Sequence, residues 1–157
     1  MTLRRLVLLL PLLLAIPAAF AQLQTFPTAP LTIDSASGPH RFTVEVATTP
    51  AQMEQGLMFR LHLAPDAGMI FDFKHPTDAE MWMKNTLIPL DMLFVDAKGR
   101  IVNIHQRAVP QSTEAIGAAA PVRAVIELNG GTAARLGIRP GDRVIFPIFG
   151  SGSASKN

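Results

Sequence analysis

Cysteine is absent from the 157 residues, so the chain has neither a disulfide framework nor a thiolate that could serve as nucleophile or metal ligand. An excess of one charge is missing too. Arg4 and Arg5 lie in an N-terminal leader, and without them the 14 lysines and arginines fall to 12, equal to the 12 acids. With its cations scattered singly, the remaining chain has no electrostatic footprint for nucleic acid and little attraction to an anionic membrane. The four histidines, His40, His62, His75 and His105, show no strand or helix ligand spacing, so no zinc site is indicated. No serine stands in a G-x-S-x-G elbow. There is no internal repeat. No cofactor or metal is expected.

The leader is the first thing that is present. Arg4 and Arg5 precede an apolar run, Leu6 to Ile16, and Ala19 and Ala21 bracket Phe20 as an A-x-A cleavage site. This is the pattern of a secretory signal peptide cut after Ala21, and its apolar run is too short to span a bilayer. Residues 22–30 then read as a proline-containing linker, 31–150 as one domain and 151–157, "SGSASKN", as a flexible tail. A periplasmic or secreted protein with no membrane span after processing is the expectation. Roughly 120 residues suffice for one apolar core.

Within that domain the apolar residues alternate. Phe42, Val44 and Val46 oppose Thr43 and Glu45, and further strands are predicted over 69–73, 80–84, 90–95, 100–106, 122–128 and 143–149. Thr49, Pro50 and Gln52 form a capping-box start for a short helix that turns Met53 and Leu57 inward and ends at Gly56. "DAKGR" marks a tight hairpin, and "GGTAARLG" a second short helix with Thr132 as cap and Gly137 at its end. The whole reads as an all-β single domain, a β-sandwich or partly open β-barrel with two short helices.

The chemistry concentrates in "EMWMKNTLIPLDMLFVD", Glu80 to Asp96. Asp91 interrupts a strand that is apolar on both faces, and a buried carboxylate needs partners. Lys84, Arg60, or donors around Asn85 and Thr86 are the expected ones. Asp91 is then either a strut or part of a polar pocket in which Lys84 meets an anionic group, Asn85 and Thr86 donate hydrogen bonds and Trp82 forms a wall. Glu127 also interrupts an apolar strand, where the plain reading puts it with Arg123 on the solvent face of an edge strand. A rival reading pairs Asp91 or Glu127 with Lys84 as an envelope hydrolase. A third is an interaction protein with an exposed apolar patch. A fourth is copper(I) held by Met81 and Met83, against which stands the use of methionine as core filler. "NGGTAAR" could cradle an anion, but such a turn is usually only a turn.

"GLMFR" at Gly56 to Arg60, "GMIFDF" at Gly68 to Phe73, "MWMKNTLIPLDMLFVD" followed by "GRIVNI", and "VIELNGGTAARLGIRPGD" together resemble the prokaryotic family catalogued as domain of unknown function 192. The resemblance runs over roughly residues 31 to 149. It implies a single all-β domain, often exported, with no settled biochemical activity. The family pattern falls on Gly56, Leu57, Met58, Arg60, Trp82, Met83, Lys84, Asn85, Thr86, Asp91 and Glu127. The candidate ligand-binding set is therefore Met58, Arg60, Trp82, Lys84, Asn85, Thr86, Asp91 and Glu127. A binding or accessory domain for a small polar or anionic ligand, or for an envelope protein, is favoured over an enzyme.

Overall fold

The computed structural model describes residues 23–150; the leader and the tail lie outside them. Nine strands and two short helices follow in order: β1 (Thr28–Ser35), β2 (Gly38–Ala47), α1 (Pro50–Gln55), β3 (Ala67–Thr77), β4 (Glu80–Met81), β5 (Leu90–Val95), β6 (Ile101–Ala108), β7 (Ile116–Gly117), β8 (Val122–Asn129), α2 (Thr132–Leu136) and β9 (Arg143–Ile145). Seven of the strands form one sheet in the order β6-β5-β8-β3-β2-β1-β9, and β4 pairs with β7 in a second, two-stranded sheet. The large sheet curls until its ends meet at one corner. Arg100 bridges Arg143, and the Ile101 amide donates to the Asp142 carbonyl at 3.0 Å. The all-β, partly open barrel is thus observed, and no helix among the described residues is long and apolar enough to cross a membrane.

Several expected boundaries move. Thr28–Pro30, read as linker, pair in β1. The strand expected over 80–84 stops at Met81, because the chain turns to let the Thr86 amide bond the Met83 carbonyl. The last strand stops at Ile145, where Pro147 opens a 3-10 turn. The capping box at α1 is present as expected, with the Thr49 hydroxyl accepting from the Gln52 amide.

The alternation of strand side chains builds two apolar layers. Inside the curl lie Leu31, Ile33, Phe42, Val44, Ile70, Leu93, Ile126 and Val144, with Ala133 and Ile138 from and after α2 packed onto them. Outside lie Met69, Phe71, Met92, Phe94 and Val125 with Leu57 and Met83 over them. Three connections cover this outer layer. Parallel pairing of β2 with β3 demands a crossover rather than a hairpin, and that crossover carries α1. β5 and β8 are likewise reached through longer connections, which carry β4 and β7.

Asp91 belongs to the inner layer and is fully buried. It has none of the expected partners. One carboxylate oxygen accepts from the amides of Arg107 and Gly131, the other from the amide of Ala133, each at 2.8 Å. The β5–β6 register slips between Leu90 and Met92, and Arg107 takes φ 52° at that bulge, which aims its amide at Asp91. Gly131 has φ 90°, a left-handed conformation that selects glycine. α2 begins at Gly131 without a side-chain cap of its own, and Thr132 is not the expected cap. Asp91 supplies the acceptor from another strand, so the anion-binding end of "NGGTAAR" is already filled from within the protein.

Removing that carboxylate strands three amide donors, two part-buried and that of Ala133 buried. Asp91→Ala is expected to lower stability by roughly 3 kcal/mol or more in denaturation at neutral pH. A loss under about 1 kcal/mol would show that water replaces the carboxylate and that the strut is dispensable.

Candidate functional site

The first two connections do not close over the outer layer, and between them lies a cleft of about 440 Å³. One wall is α1 and the residues after it, Met53 to Met58; the other is Glu80, Met81, Trp82 and Thr86. Its floor comes from β3, with Phe71 and Phe73, and from β8, with Glu127. Gly56 permits the close approach of wall to floor: it has φ 48°, and a Cβ there would stand 3.0 Å from the Phe71 ring.

Glu127 is the unusual member. β8 is not an edge strand but lies between β5 and β3, which pair Glu127 with Met92 on one side and Met69 on the other. The solvent-face reading is therefore overturned: the side chain is 4% exposed. Arg123 does not face open solvent either; it pairs with the buried Asp72. No side-chain hydrogen bond or ion pair reaches the Glu127 carboxyl among the described residues. Desolvation by this apolar setting pushes its pKa up from 4.5 to about 8. At neutral pH the group is mainly a carboxylic acid, a donor and acceptor without a protein partner.

The eight candidate residues divide. Met58, Trp82, Thr86 and Glu127 line the cleft. Arg60, Lys84, Asn85 and Asp91 do not. The Arg60 guanidinium makes two bonds to Glu45, at 2.5 and 2.6 Å, and also lies over Phe26. Lys84 is exposed, with its ammonium 5.5 Å from the centre of the Trp82 ring. Asn85 does backbone work: it has φ 55°, accepts from the Phe59 amide at 2.9 Å and directs its own amide at the Met58 sulfur. Asp91 is committed to the opposite side of the sheet, so of the two carboxylates named for a hydrolase with Lys84 only Glu127 lines the cleft, and Lys84 is not in the lining. Of the two methionines named for copper(I), Met83 is buried in the outer layer while Met81 packs against it and walls the cleft.

The cleft is less polar than expected. Met53, Phe71, Phe73 and Met81 were legible only as core residues, because strand alternation marks a side chain as inward-facing without telling whether something covers it. A second, smaller hollow of about 330 Å³ holds His105, Ser112 and Glu114. No group of three or more histidine or acidic residues suited to a metal ion occurs among the described residues.

A curled seven-stranded sheet with an apolar cleft on its convex side and one unpartnered acid on the cleft floor defines the class. The chain belongs to the family of uncharacterized proteins catalogued as domain of unknown function 192, whose model matches residues 31–146. It is similar to a Sinorhizobium meliloti protein described as a candidate transcription regulator, at 48% identity and a TM-score of 0.76 over 79% of this chain and 97% of that one. It is equally similar to a Novosphingobium aromaticivorans protein of unknown function, at 48% identity and a TM-score of 0.75 over 76% and 85% of the two chains. No curated protein matches.

A carboxyl whose pKa rises on folding stabilises the fold fully below the unfolded value, and that contribution is lost as pH rises through the folded one. Here the window runs from 4.5 to about 8. Wild-type stability, measured by urea denaturation across that range, is expected to fall by a few kcal/mol relative to Glu127→Gln, which cannot ionise. Parallel curves for the two proteins would mean that Glu127 ionises freely in the fold.

Proposed function

We propose that the protein is an exported, periplasmic binding or accessory domain that holds a small, largely apolar molecule in the cleft on the outer face of its sheet. The observation that carries this reading is Glu127: a buried polar group without a partner is rare in a folded protein, and this one opens onto a space large enough for a ligand. Around it, Met53, Met58 and Met81 supply deformable, polarizable walls and Trp82 a flat one. The leader supports the location. The balanced charge of the chain after the leader speaks against carrying the regulator description of the Sinorhizobium relative over as direct DNA binding.

A second reading, docking of an envelope protein, is favoured by Phe59, Leu61, Trp82, Leu87 and Val109, all large, apolar and exposed. The loops that carry them are stitched together by the Phe59 amide on the Asn85 carbonyl and the Gln111 amide on the Thr86 carbonyl. Phe59, Asn85 and Gln111 all have positive φ. A bulky residue such as Phe59 takes that conformation only where its surroundings impose it.

Nile red, a neutral dye that brightens in apolar surroundings, tests the cleft. Trp82 is the only tryptophan of the chain and is 50% exposed, so its truncation removes a wall without opening the core. Trp82→Ala is expected to weaken dye binding about tenfold while leaving stability within about 1 kcal/mol of wild type. Leu61→Ala, at an 80% exposed position outside the lining, should leave binding unchanged. Binding that Leu61→Ala weakens and Trp82→Ala does not would move the site to the exposed loops.

A further inference from the structure

Every ionisable side chain that lines the cleft is a carboxylic acid. Glu54 and Glu80 stand exposed at the rim and Glu127 lies buried at the floor, and no lysine, arginine or histidine joins them. Arg60 is paired with Glu45, and Lys84 stands outside the lining, over the ring of Trp82. The remaining lining is aromatic or thioether: Phe71, Phe73 and Trp82, with Met53, Met58 and Met81.

This arrangement excludes an anion and suits its opposite. Acids at the mouth of a low-dielectric cleft focus a negative potential into it, which draws in positive charge. Aromatic faces attract cations, and the ammonium of Lys84 beside Trp82 shows the same attraction within the protein. From the geometry of the lining we infer that the ligand is a small organic cation, an ammonium group on an apolar body, whose charge comes to rest against Glu127. This rests on the reading of the cleft as a binding site. The sign of the ligand's charge is the reverse of that expected from Lys84 in the sequence.

The inference fixes a proton balance. The titratable groups that line the cleft with Glu127 are Glu54 from α1 and Glu80 from β4; the strands on either side present Met69 and Met92, and the rest of the floor is Phe71 and Phe73, while beyond the lining Arg60 is paired with Glu45 of β2 and Arg123 of β8 with Asp72. With no cation in the lining, nothing in the empty cleft stabilises the ionised form. A bound ammonium does. As it enters, the Glu127 carboxyl gives its proton to solvent, so binding tightens with rising pH until the group is ionised without help. A neutral ligand accepting a hydrogen bond from the protonated acid has the opposite dependence.

The test compares benzyltrimethylammonium, whose charge is independent of pH, with benzyl alcohol and benzoate, using Trp82 emission and calorimetry. The cation is expected to bind at least about tenfold more tightly than the alcohol, and benzoate most weakly. Its affinity should rise between about pH 6 and about pH 9, with proton release seen as a heat that varies with the buffer. Glu127→Gln should abolish the preference and the pH dependence while still binding Nile red. Glu54→Gln with Glu80→Gln, at exposed positions, should weaken the cation alone and flatten its salt dependence. An alcohol that binds as tightly as the cation, an affinity that falls with pH, or cation binding untouched by Glu127→Gln would overturn the inference. Nile red bound in a Trp82-dependent way without any binding of the cation would also overturn it and leave the cleft reading standing. Failure of Nile red itself to bind would remove both.

Discussion

One carboxylate, on β5, holds the elements around it in place. Asp91 meets three amides that lie 16, 40 and 42 residues away in sequence, on β6, on the Gly-Gly turn and on α2. Each amide is at a place where regular pairing fails: a bulge, a left-handed glycine and the uncapped start of a helix. A charged acceptor is worth more than a neutral one at such sites, because it answers several donors at once and matches the positive end of the helix. Pro89, just before β5, accepts from Gly130 at 2.8 Å and extends the same anchor. With α2 fixed, Ala133 and Ile138 complete the inner layer.

The inner and outer faces of the sheet then follow different rules. Inside, aliphatic side chains from opposite strands meet one another around the fully satisfied Asp91. Outside, three crossovers must do the covering, and their lengths and turns leave a gap between α1 and the stretch around Trp82. Glu127 faces that gap. Of the three acids buried in this sheet, Asp91 is supplied with three amide donors, Asp72 pairs with Lys74 and Arg123, and Glu127, on the outer face, has no side-chain partner among the described residues. That contrast separates a structural carboxylate from one available to a ligand, and it is visible without reference to any other protein.

Local chemistry was legible in the sequence wherever it was self-contained. The box of Thr49 and Gln52, the Asp96–Gly99 hairpin and the alternation of β2 and β5 depend only on near neighbours, and the structure shows all of them. Asp91 could be recognised as needing partners, since both faces of its strand are apolar, yet its partners were misassigned: backbone amides carry no residue identity to read. Glu127 was misplaced for a different reason. Whether β8 is an edge or a centre depends on strand order, which alternation does not encode. Asn85 resembled a ligand-binding residue because a polar side chain in a conspicuous motif invites that reading, whereas its left-handed backbone is what the fold uses. Lys84 sits beside the cleft wall without entering the cleft.

The methionines are distributed unevenly, and this has a consequence for chemical damage. Met69, Met83 and Met92 lie in the outer layer, Met53 and Met81 pack against it, Met58 lines the cleft, and the inner layer contains none. Oxidants reach thioethers according to exposure, and sulfoxides are larger, polar and poorly suited to an apolar wall. Met53, Met58 and Met81 are the partly exposed ones. Under oxidative stress the walls of the cleft would be converted first while the aliphatic barrel and its Asp91 anchor remained intact. Such damage would alter the cleft before it unfolded the barrel.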